Sequence, residues 1–198
     1  MHPLTSAQLA NDRRSQYQRE AASARLVAQA KARKRSSPAD RLQTRVLDPS
    51  DIEEMAAMFS RLSTRSRYLR FMSPIRTVSA SMLAYLAAID HQRHEAVGAF
   101  DDRVLVGAAH YFRSATDPTS AEIAAEVTDP YQGMGVGRRL MCELGRIARE
   151  RGITRFDART FFDNTAAISW VRNSGWRAAT TLDGPELEIS VEIPAALP

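Results

Sequence analysis

Hydrophobic and polar residues alternate along this chain with two periods, one typical of helices and the other typical of strands. Apolar residues three and four positions apart predict helices over residues 51–62, 79–89, 138–151 and 166–173. Alternating or short apolar runs between turn residues predict strands over residues 43–47, 96–100, 104–112, 121–128, 156–160, 177–182 and 187–193. The order βααβββαβαββ predicts an α/β (mixed α+β) fold, in which helices cover both faces of a mixed, mostly antiparallel sheet of about seven strands.

The start of the chain differs from the rest in charge. Residues 1–45 hold ten of the 27 Lys and Arg residues but only three of the 23 Asp and Glu residues. They contain few large apolar side chains, so we expect a basic, partly helical or flexible extension over residues 1–40 and a folded domain over residues 41–198. Such an extension is typical of a solvated tail, and it is also suited to contact nucleic acid or an acidic partner. Both interpretations stay open.

Composition excludes several classes of protein. The chain has 198 residues, of which 44% are hydrophobic, enough to form the core of one ordinary domain. A single cysteine excludes a disulfide framework, and His91 with His94 lacks the further ligands that a metal site needs. No apolar run reaches the ~18 residues of a membrane-spanning helix, and no signal peptide is evident. We therefore expect a soluble cytoplasmic protein, monomeric or homodimeric, with no metal and no membrane contact.

A glycine-rich segment, Gln132 to Gly137, joins the predicted strand 121–128 to the predicted helix 138–151. The dinucleotide pattern GxGxxG fails because Arg138 stands where the third glycine belongs, and the Walker pattern fails because no GK[ST] follows. Glycines let a backbone approach a ligand closely, and the unpaired amides at a helix start favour an anion such as a pyrophosphate. A loop of this kind also occurs as an ordinary tight turn, so its neighbours decide between the two interpretations.

The remaining pattern, QxxGxG followed by Arg138 and Arg139, resembles the pyrophosphate loop of the GNAT superfamily of N-acetyltransferases. Three further segments resemble the Pat-type bacterial protein lysine acetyltransferases within that superfamily: SRYLRFMSP at 66–74, Asp90 with RHEA at 93–96, and AEIA at 121–124. The resemblance covers about residues 43–193. It implies a GNAT fold and acetyl-CoA as the co-substrate.

Two glutamates on the strand 121–128 are candidates for the chemistry of acetyl transfer. A lysine amine has a pKa near ~10.4 and must lose a proton before it attacks a thioester. Alternation places Glu122 and Glu126 on the same face of the strand. Glu122 matches the general-base position of protein-acetylating relatives, so the resemblance implies Glu122 as the base and Glu126 as a second carboxylate. Direct attack is favoured over a ping-pong route because this strand contains no cysteine.

The donor site follows from the resemblance and from the geometry of a strand edge. We expect backbone groups of Val127 and Thr128 to pair with the pantetheine arm as an added strand would. Amides from residues 133–138 should hold the pyrophosphate, and Arg138 and Arg139 should add positive charge. The loop residues assigned to this site are Gln132, Gly133, Met134, Gly135, Val136 and Gly137.

The predicted last helix contributes one expected contact and one departure from the family. Asn164 matches the family asparagine that bonds the pantetheine or its phosphate, and it is also the expected N-cap of this helix. Many GNAT enzymes carry a tyrosine further along, which protonates the leaving thiolate. This chain has Trp170 and Val171 there, so the general acid stays open.

Residues 66–74 form, by the same resemblance, one wall of the acceptor cleft. The candidate acceptor-binding residues are Arg67, Phe71 and His94. Anchoring of the two-helix element is the other interpretation for Arg67 and Phe71, and a stabilising role is the other interpretation for His94. Cys142 lies one helical turn from Arg138 and Arg146, whose charges would lower its pKa, although a bystander thiol is the other interpretation.

The function predicted from these observations is acetyl transfer from acetyl-CoA to a protein lysine. A small-molecule amine acetyltransferase and a non-catalytic acyl-CoA sensor or adaptor are the alternatives. The identity of the acceptor, the preferred acyl chain and the mode of regulation have no signal in the sequence.

Overall fold

The computed structural model describes residues 42–197, and the predicted extension 1–40 lies outside the described residues. The strands are β1 Leu42–Val46, β2 His94–Asp101, β3 Val104–Arg113, β4 Ser120–Val127, β5 Arg155–Phe161, β6 Ala178–Asp183 and β7 Glu186–Glu192. The helices in this part of the chain are α1 Ile52–Arg61, α2 Thr64–Phe71, α3 Ala80–Ala87, α4 Val136–Glu150 and α5 Thr165–Asn173. No helix in the range 42–197 is long and apolar enough to cross a bilayer.

One sheet contains all seven strands, in the order β1-β2-β3-β4-β5-β7-β6. Every neighbouring pair is antiparallel except β4 and β5, which are parallel and are connected through α4. Apolar residues of α4 form a core on one face of the sheet, and those of α1 and α3 form a second core on the other face. The mixed sheet with helices on both faces confirms the predicted fold class.

The starts of α1 and α3 differ in their caps. Ser79 accepts a hydrogen bond from the Met82 amide and caps α3. Asp51 stands at the N-cap position of α1 but makes no capping bond to that helix, because its carboxylate accepts two hydrogen bonds from Arg45, at 2.7 and 2.5 Å, and one from the Asp48 amide. The short helix α2 is absent from the predicted order. Its sequence TRSRYLRF buries no side chain completely, so it has little apolar periodicity to reveal it.

Candidate functional site

A slot opens between β4 and β5. The two strands pair only where Ser120–Glu122 lies beside Arg155–Asp157, whereas β3 accompanies β4 as far as Val127. Beyond Glu122, one edge of β4 therefore has no strand partner among the described residues. The helix α2 contacts both strands and so lies across this slot.

The hydrogen bonds of β4 decide which of its backbone groups face the slot. The Thr128 amide donates to the Val106 carbonyl at 2.9 Å, and the Thr128 carbonyl accepts from the Tyr131 amide at 2.9 Å. Hydrogen-bonded positions alternate along an antiparallel pair, so Ala125 and Val127 turn their backbone groups away from β3 and toward the slot. Both backbone groups of Thr128 have partners, and the Val127 carbonyl accepts from the Gln132 side chain. Contact of Val127 or Thr128 with a cofactor stays a prediction.

The glycine-rich loop leaves a row of amides open. Gly133 and Gly135 have φ angles of 72° and 80°, a conformation that other residues rarely adopt, and a side chain at either position would meet no atom within 4 Å. Gly135 is the N-cap of α4 and supplies no capping side chain. The Arg139 amide donates to the Gly135 carbonyl at 3.1 Å, but the amides of 133–138 find no acceptor within residues 42–197. The loop therefore has the geometry of an anion site.

The two arginines after the loop have different surroundings. Arg139 donates from Nη1 to the Leu42 carbonyl at 2.7 Å, which directs its charge toward β1. Arg138 is exposed and interacts with Cys142. Burial raises the pKa of Cys142, and this effect outweighs the lowering by Arg138. The expectation of a lowered thiol pKa was therefore wrong, because the half-buried position of the thiol had no signal in the sequence.

Gln132 joins the loop to α2. Its side-chain amide donates to the Val127 carbonyl at 2.9 Å and to the Ser66 hydroxyl at 3.1 Å. Nearby, Asp129 accepts from the Ser63 amide at 2.9 Å and from the Ser63 hydroxyl at 2.7 Å. Burial alone would raise the pKa of Asp129, but these bonds hold it below its ordinary value. These hydrogen bonds therefore connect the start of α2 to the start of the loop.

Asn164 lies at the start of α5. Its side-chain oxygen accepts from the Ala167 amide at 3.2 Å, and its side-chain nitrogen donates to the Thr160 hydroxyl at 2.8 Å. The N-cap geometry is as expected. Its contact with a cofactor stays a prediction.

The two candidate carboxylates lie on one face of β4 but differ in environment. Glu122 is exposed and has no hydrogen bond or ion pair within the described part of the chain. Glu126 is only 5% exposed, and its Oε2 accepts from Arg70 Nε at 2.5 Å. Burial would raise the pKa of Glu126, but Arg70 and His110 hold it below its ordinary value. Glu126 is therefore a buried, paired carboxylate, and Glu122 is the one that faces solvent.

The three residues predicted to bind the acceptor have partners within the fold. Arg67 donates to the Leu62 carbonyl at the end of α1, and the ring of Phe71 packs 5.7 Å from that of Phe59. His94 is 5% exposed, and burial, followed by the charge of His110, lowers its pKa to about 4. These contacts agree with an anchoring role in α2 and β2. Contact of any of the three with an acceptor stays a prediction.

Two exposed tyrosines near the slot had not been singled out from the sequence. Tyr68 on α2 stacks on Phe161 at the end of β5, with ring centroids 4.8 Å apart. Tyr85 on α3 stacks on Phe112 at 5.4 Å, and Phe112 is the cross-strand neighbour of Glu122. From the sequence, the proximity of Phe112 to Glu122 could be inferred only through the β3–β4 register. The free carboxylate thus lies beside a pair of aromatic rings.

In this mixed sheet, β4 and β5 separate beside a glycine-rich loop that leads into α4, an arrangement typical of the GNAT class of folds. The sequence model of the Acetyltransferase (GNAT) family matches residues 58–176. The chain therefore belongs to this family.

Individual relatives agree with this assignment. The chain is 31% identical over 151 residues to Acetyltransferase Pat of Mycolicibacterium smegmatis, an alignment that covers 71% of this chain and 45% of that protein. It spans about half the length of the curated relatives it matches.

Two solved structures support the fold alone. The GNAT domain of S. lividans PAT superposes with a TM-score of 0.71 at 24% identity, covering 76% of this chain and 90% of that domain. The structure of yncA from Salmonella typhimurium with acetyl-CoA superposes with a TM-score of 0.61 at 19% identity, covering 79% and 96% of the two chains.

Proposed function

We propose that this chain transfers the acetyl group of acetyl-CoA to the amine of a protein lysine, with Glu122 as the general base. The observation that carries the proposal is the free carboxylate of Glu122 at the point where β4 and β5 separate. Membership of the GNAT family and the resemblance to Pat-type enzymes support the donor and the acceptor class.

The donor fits the slot and the loop together. The open amides of 133–138 would hold the pyrophosphate, with Arg138 beside it. The pantetheine arm would then run along the open edge of β4, where the backbone groups of Ala125 and the amide of Val127 point, while the Val127 carbonyl already accepts from Gln132. This path leads from the loop toward Glu122. The Salmonella structure that contains acetyl-CoA has the same fold, which supports this donor.

The reaction requires one proton to leave the amine before attack. Glu122 would accept that proton, directly or through a water, and the free amine would attack the thioester carbonyl. The tetrahedral intermediate loses the second amine proton to water or to the leaving sulfur, and its collapse breaks the carbon–sulfur bond, so that the amide and CoA are formed. Open backbone amides beside the slot would stabilise the developing oxyanion.

The surroundings of Glu122 favour a long amine as acceptor. Phe112 and Tyr85 form a stacked aromatic pair beside this carboxylate, and Tyr85 is 63% exposed. Aromatic faces attract ammonium groups and also cover an aliphatic stem. A lysine side chain offers both features.

Replacement of Glu122 by Gln tests the proposal. The wild type and Glu122→Gln would be incubated with acetyl-CoA and a cell lysate, and acetyl-lysine would be quantified by mass spectrometry. We expect a loss of ~10²–10⁴-fold in turnover, the usual contribution of a general base, with unchanged affinity for acetyl-CoA. Glu188→Gln, at an exposed glutamate of β7, is the matched control and should behave as wild type.

Three outcomes would contradict the proposal. Unchanged turnover in Glu122→Gln would remove its role as the base. Acetylation of small amines but of no protein would indicate a small-molecule enzyme. Binding of acetyl-CoA without any modified acceptor would indicate a sensor or adaptor.

A further inference from the structure

A row of buried polar side chains crosses the core beneath the slot. His94 of β2 is 5% exposed, His110 of β3 is 0% exposed and Glu126 of β4 is 5% exposed. His94 Nε2 lies 3.1 Å from His110 Nδ1, and His110 Nε2 lies 3.5 Å from Glu126 Oε1. Arg70 of α2 ends the row at the other carboxylate oxygen.

The first two contacts fix where the ring protons are. The Ala88 carbonyl lies 3.1 Å from His94 Nδ1 and can only accept, so His94 must carry a proton on Nδ1. A neutral His94 then has a bare Nε2, which accepts a hydrogen bond from His110 Nδ1. Burial and the charge of His110 lower the pKa of His94 to about 4, which agrees with a neutral ring.

This assignment leaves a conflict at the end of the row. If His110 were neutral, its bare Nε2 would lie 3.5 Å from the ionised Glu126 Oε1. Within residues 42–197, both atoms are buried and neither has a hydrogen-bond partner. Two buried acceptors that face each other are costly, so one additional proton is needed between them.

That proton belongs on the imidazole. Glu126 already accepts from Arg70 Nε on its other oxygen, and a positive neighbour favours the ionised carboxylate. Burial acts in the opposite direction, yet the pKa of Glu126 is lowered by Arg70 and His110 together. Apolar residues of α1 and α3, among them Met55, Phe59 and Leu86, pack on this face.

We infer that His110 is a buried imidazolium paired with Glu126, and that this pair positions Arg70 in the wall beside the acceptor site. Glu126 is then a positioning residue, since both of its oxygens have protein partners. The statement about the acceptor rests on the proposed function, whereas the protonation state does not.

The variant Glu126→Gln tests whether the charge of the carboxylate keeps the additional proton on His110. The glutamine nitrogen can donate to His110 Nε2 and its oxygen can accept from Arg70 Nε, so the shape and the hydrogen bonds are kept. The variant should therefore contain a neutral His110. Glu126→Asp retains a carboxylate and should retain the imidazolium.

Nitrogen-15 correlation spectra of the histidine rings at neutral pH provide the readout. Both ring nitrogens of an imidazolium carry protons, while a neutral ring has one bare nitrogen. The chain contains four histidines, and the variants His2→Gln, His91→Gln and His94→Gln identify three of the signals and thereby the fourth, that of His110. We expect an imidazolium at His110 and a neutral His94 with its proton on Nδ1.

A neutral His110 in the wild type would overturn the inference, as would an imidazolium that persists in Glu126→Gln. Glu122→Gln is the matched control and should leave the ring signals unchanged. If Glu126→Gln does not fold, the wild-type spectrum still decides the number of protons. The spectra need no turnover, so failure of the proposed function leaves this result intact.

Discussion

Two glycines of the loop should respond in opposite ways to the same substitution. Gly135 has a φ of 80°, so an alanine there would be forced into the left-handed region at a cost of roughly 1–2 kcal/mol. Gly137 lies in the first turn of α4, where an added Cβ would meet only Val127 Cγ2 at 4.0 Å. Because alanine favours a helix over glycine by about 1 kcal/mol, Gly137→Ala should be neutral or stabilising.

The cost at Gly135 should be visible in stability or in binding. If the loop of Gly135→Ala keeps its shape, the free energy of unfolding falls by ~1–2 kcal/mol, which lowers Tm by roughly 2–4 °C per kcal/mol for a domain of this size. If the loop relaxes, its amides turn away from the anion. The affinity for acetyl-CoA then falls instead, by the ~5–30-fold that corresponds to the same free energy.

Urea unfolding and calorimetric titration with acetyl-CoA measure both quantities on the same samples. Gly137→Ala is the control for the chemical change itself. The reasoning would be refuted if Gly135→Ala altered neither stability nor affinity, or if both variants lost stability equally. Either result would mean that the positive φ angle does not hold the amides in place.

Three further perturbations follow from burial and charge. Arg70→Met removes one partner of a buried ion pair and should lower the free energy of unfolding, measured with urea, by ~3–5 kcal/mol. Arg65→Ala, at an exposed pair, should lower it by under ~1 kcal/mol. Similar losses in the two variants would show that the Arg70 pair is not buried. The pKa of His94 is lowered from its ordinary value of 6.5 to about 4, so between these two pH values the folded chain binds fewer protons than the unfolded chain. As the pH is lowered from 6.5 to about 4, the free energy of unfolding should therefore decrease, and His94→Gln should flatten this dependence. A wild-type curve no steeper than that of the variant would contradict the prediction. Burial raises the pKa of Cys142, so at neutral pH it should react with iodoacetamide more slowly than a small free thiol, and an equal rate would contradict the assigned environment.

The sequence predicted the elements well because most of them depend on local patterns. Every predicted strand is present, with bounds that differ by at most two residues. The helix α2 was not predicted because it is short and polar, and because its position depends on contacts with residues far along the chain. Ser63 and Ser66 bond Asp129, which lies more than sixty residues away. A hydrophobic pattern that repeats every few residues gives no information about a contact between residues so distant in the chain.

The same limit applies to the three candidate acceptor residues. Arg67, Phe71 and His94 are polar or aromatic residues in segments that lie near the slot, and the sequence gives no direct signal of which way their side chains point. Their partners, Leu62, Phe59 and His110, are defined only by the fold. The shape of the glycine-rich loop was predictable because its positive φ angles favour glycine, a preference that is visible in the sequence itself.

The ranking of the two glutamates shows how the missed helix bears on the chemistry. Alternation placed Glu122 and Glu126 on one face of β4, and nothing local to the strand separates them. What separates them is Arg70 on α2 together with His110 on β3, since these two residues engage both oxygens of Glu126 and none of Glu122. A carboxylate whose two oxygens are held by positive groups is a poor proton acceptor, because protonation would break both contacts. This contrast supports the proposal of Glu122, which has no side-chain partner within residues 42–197, as the base, and of Glu126 as the residue that holds the wall opposite.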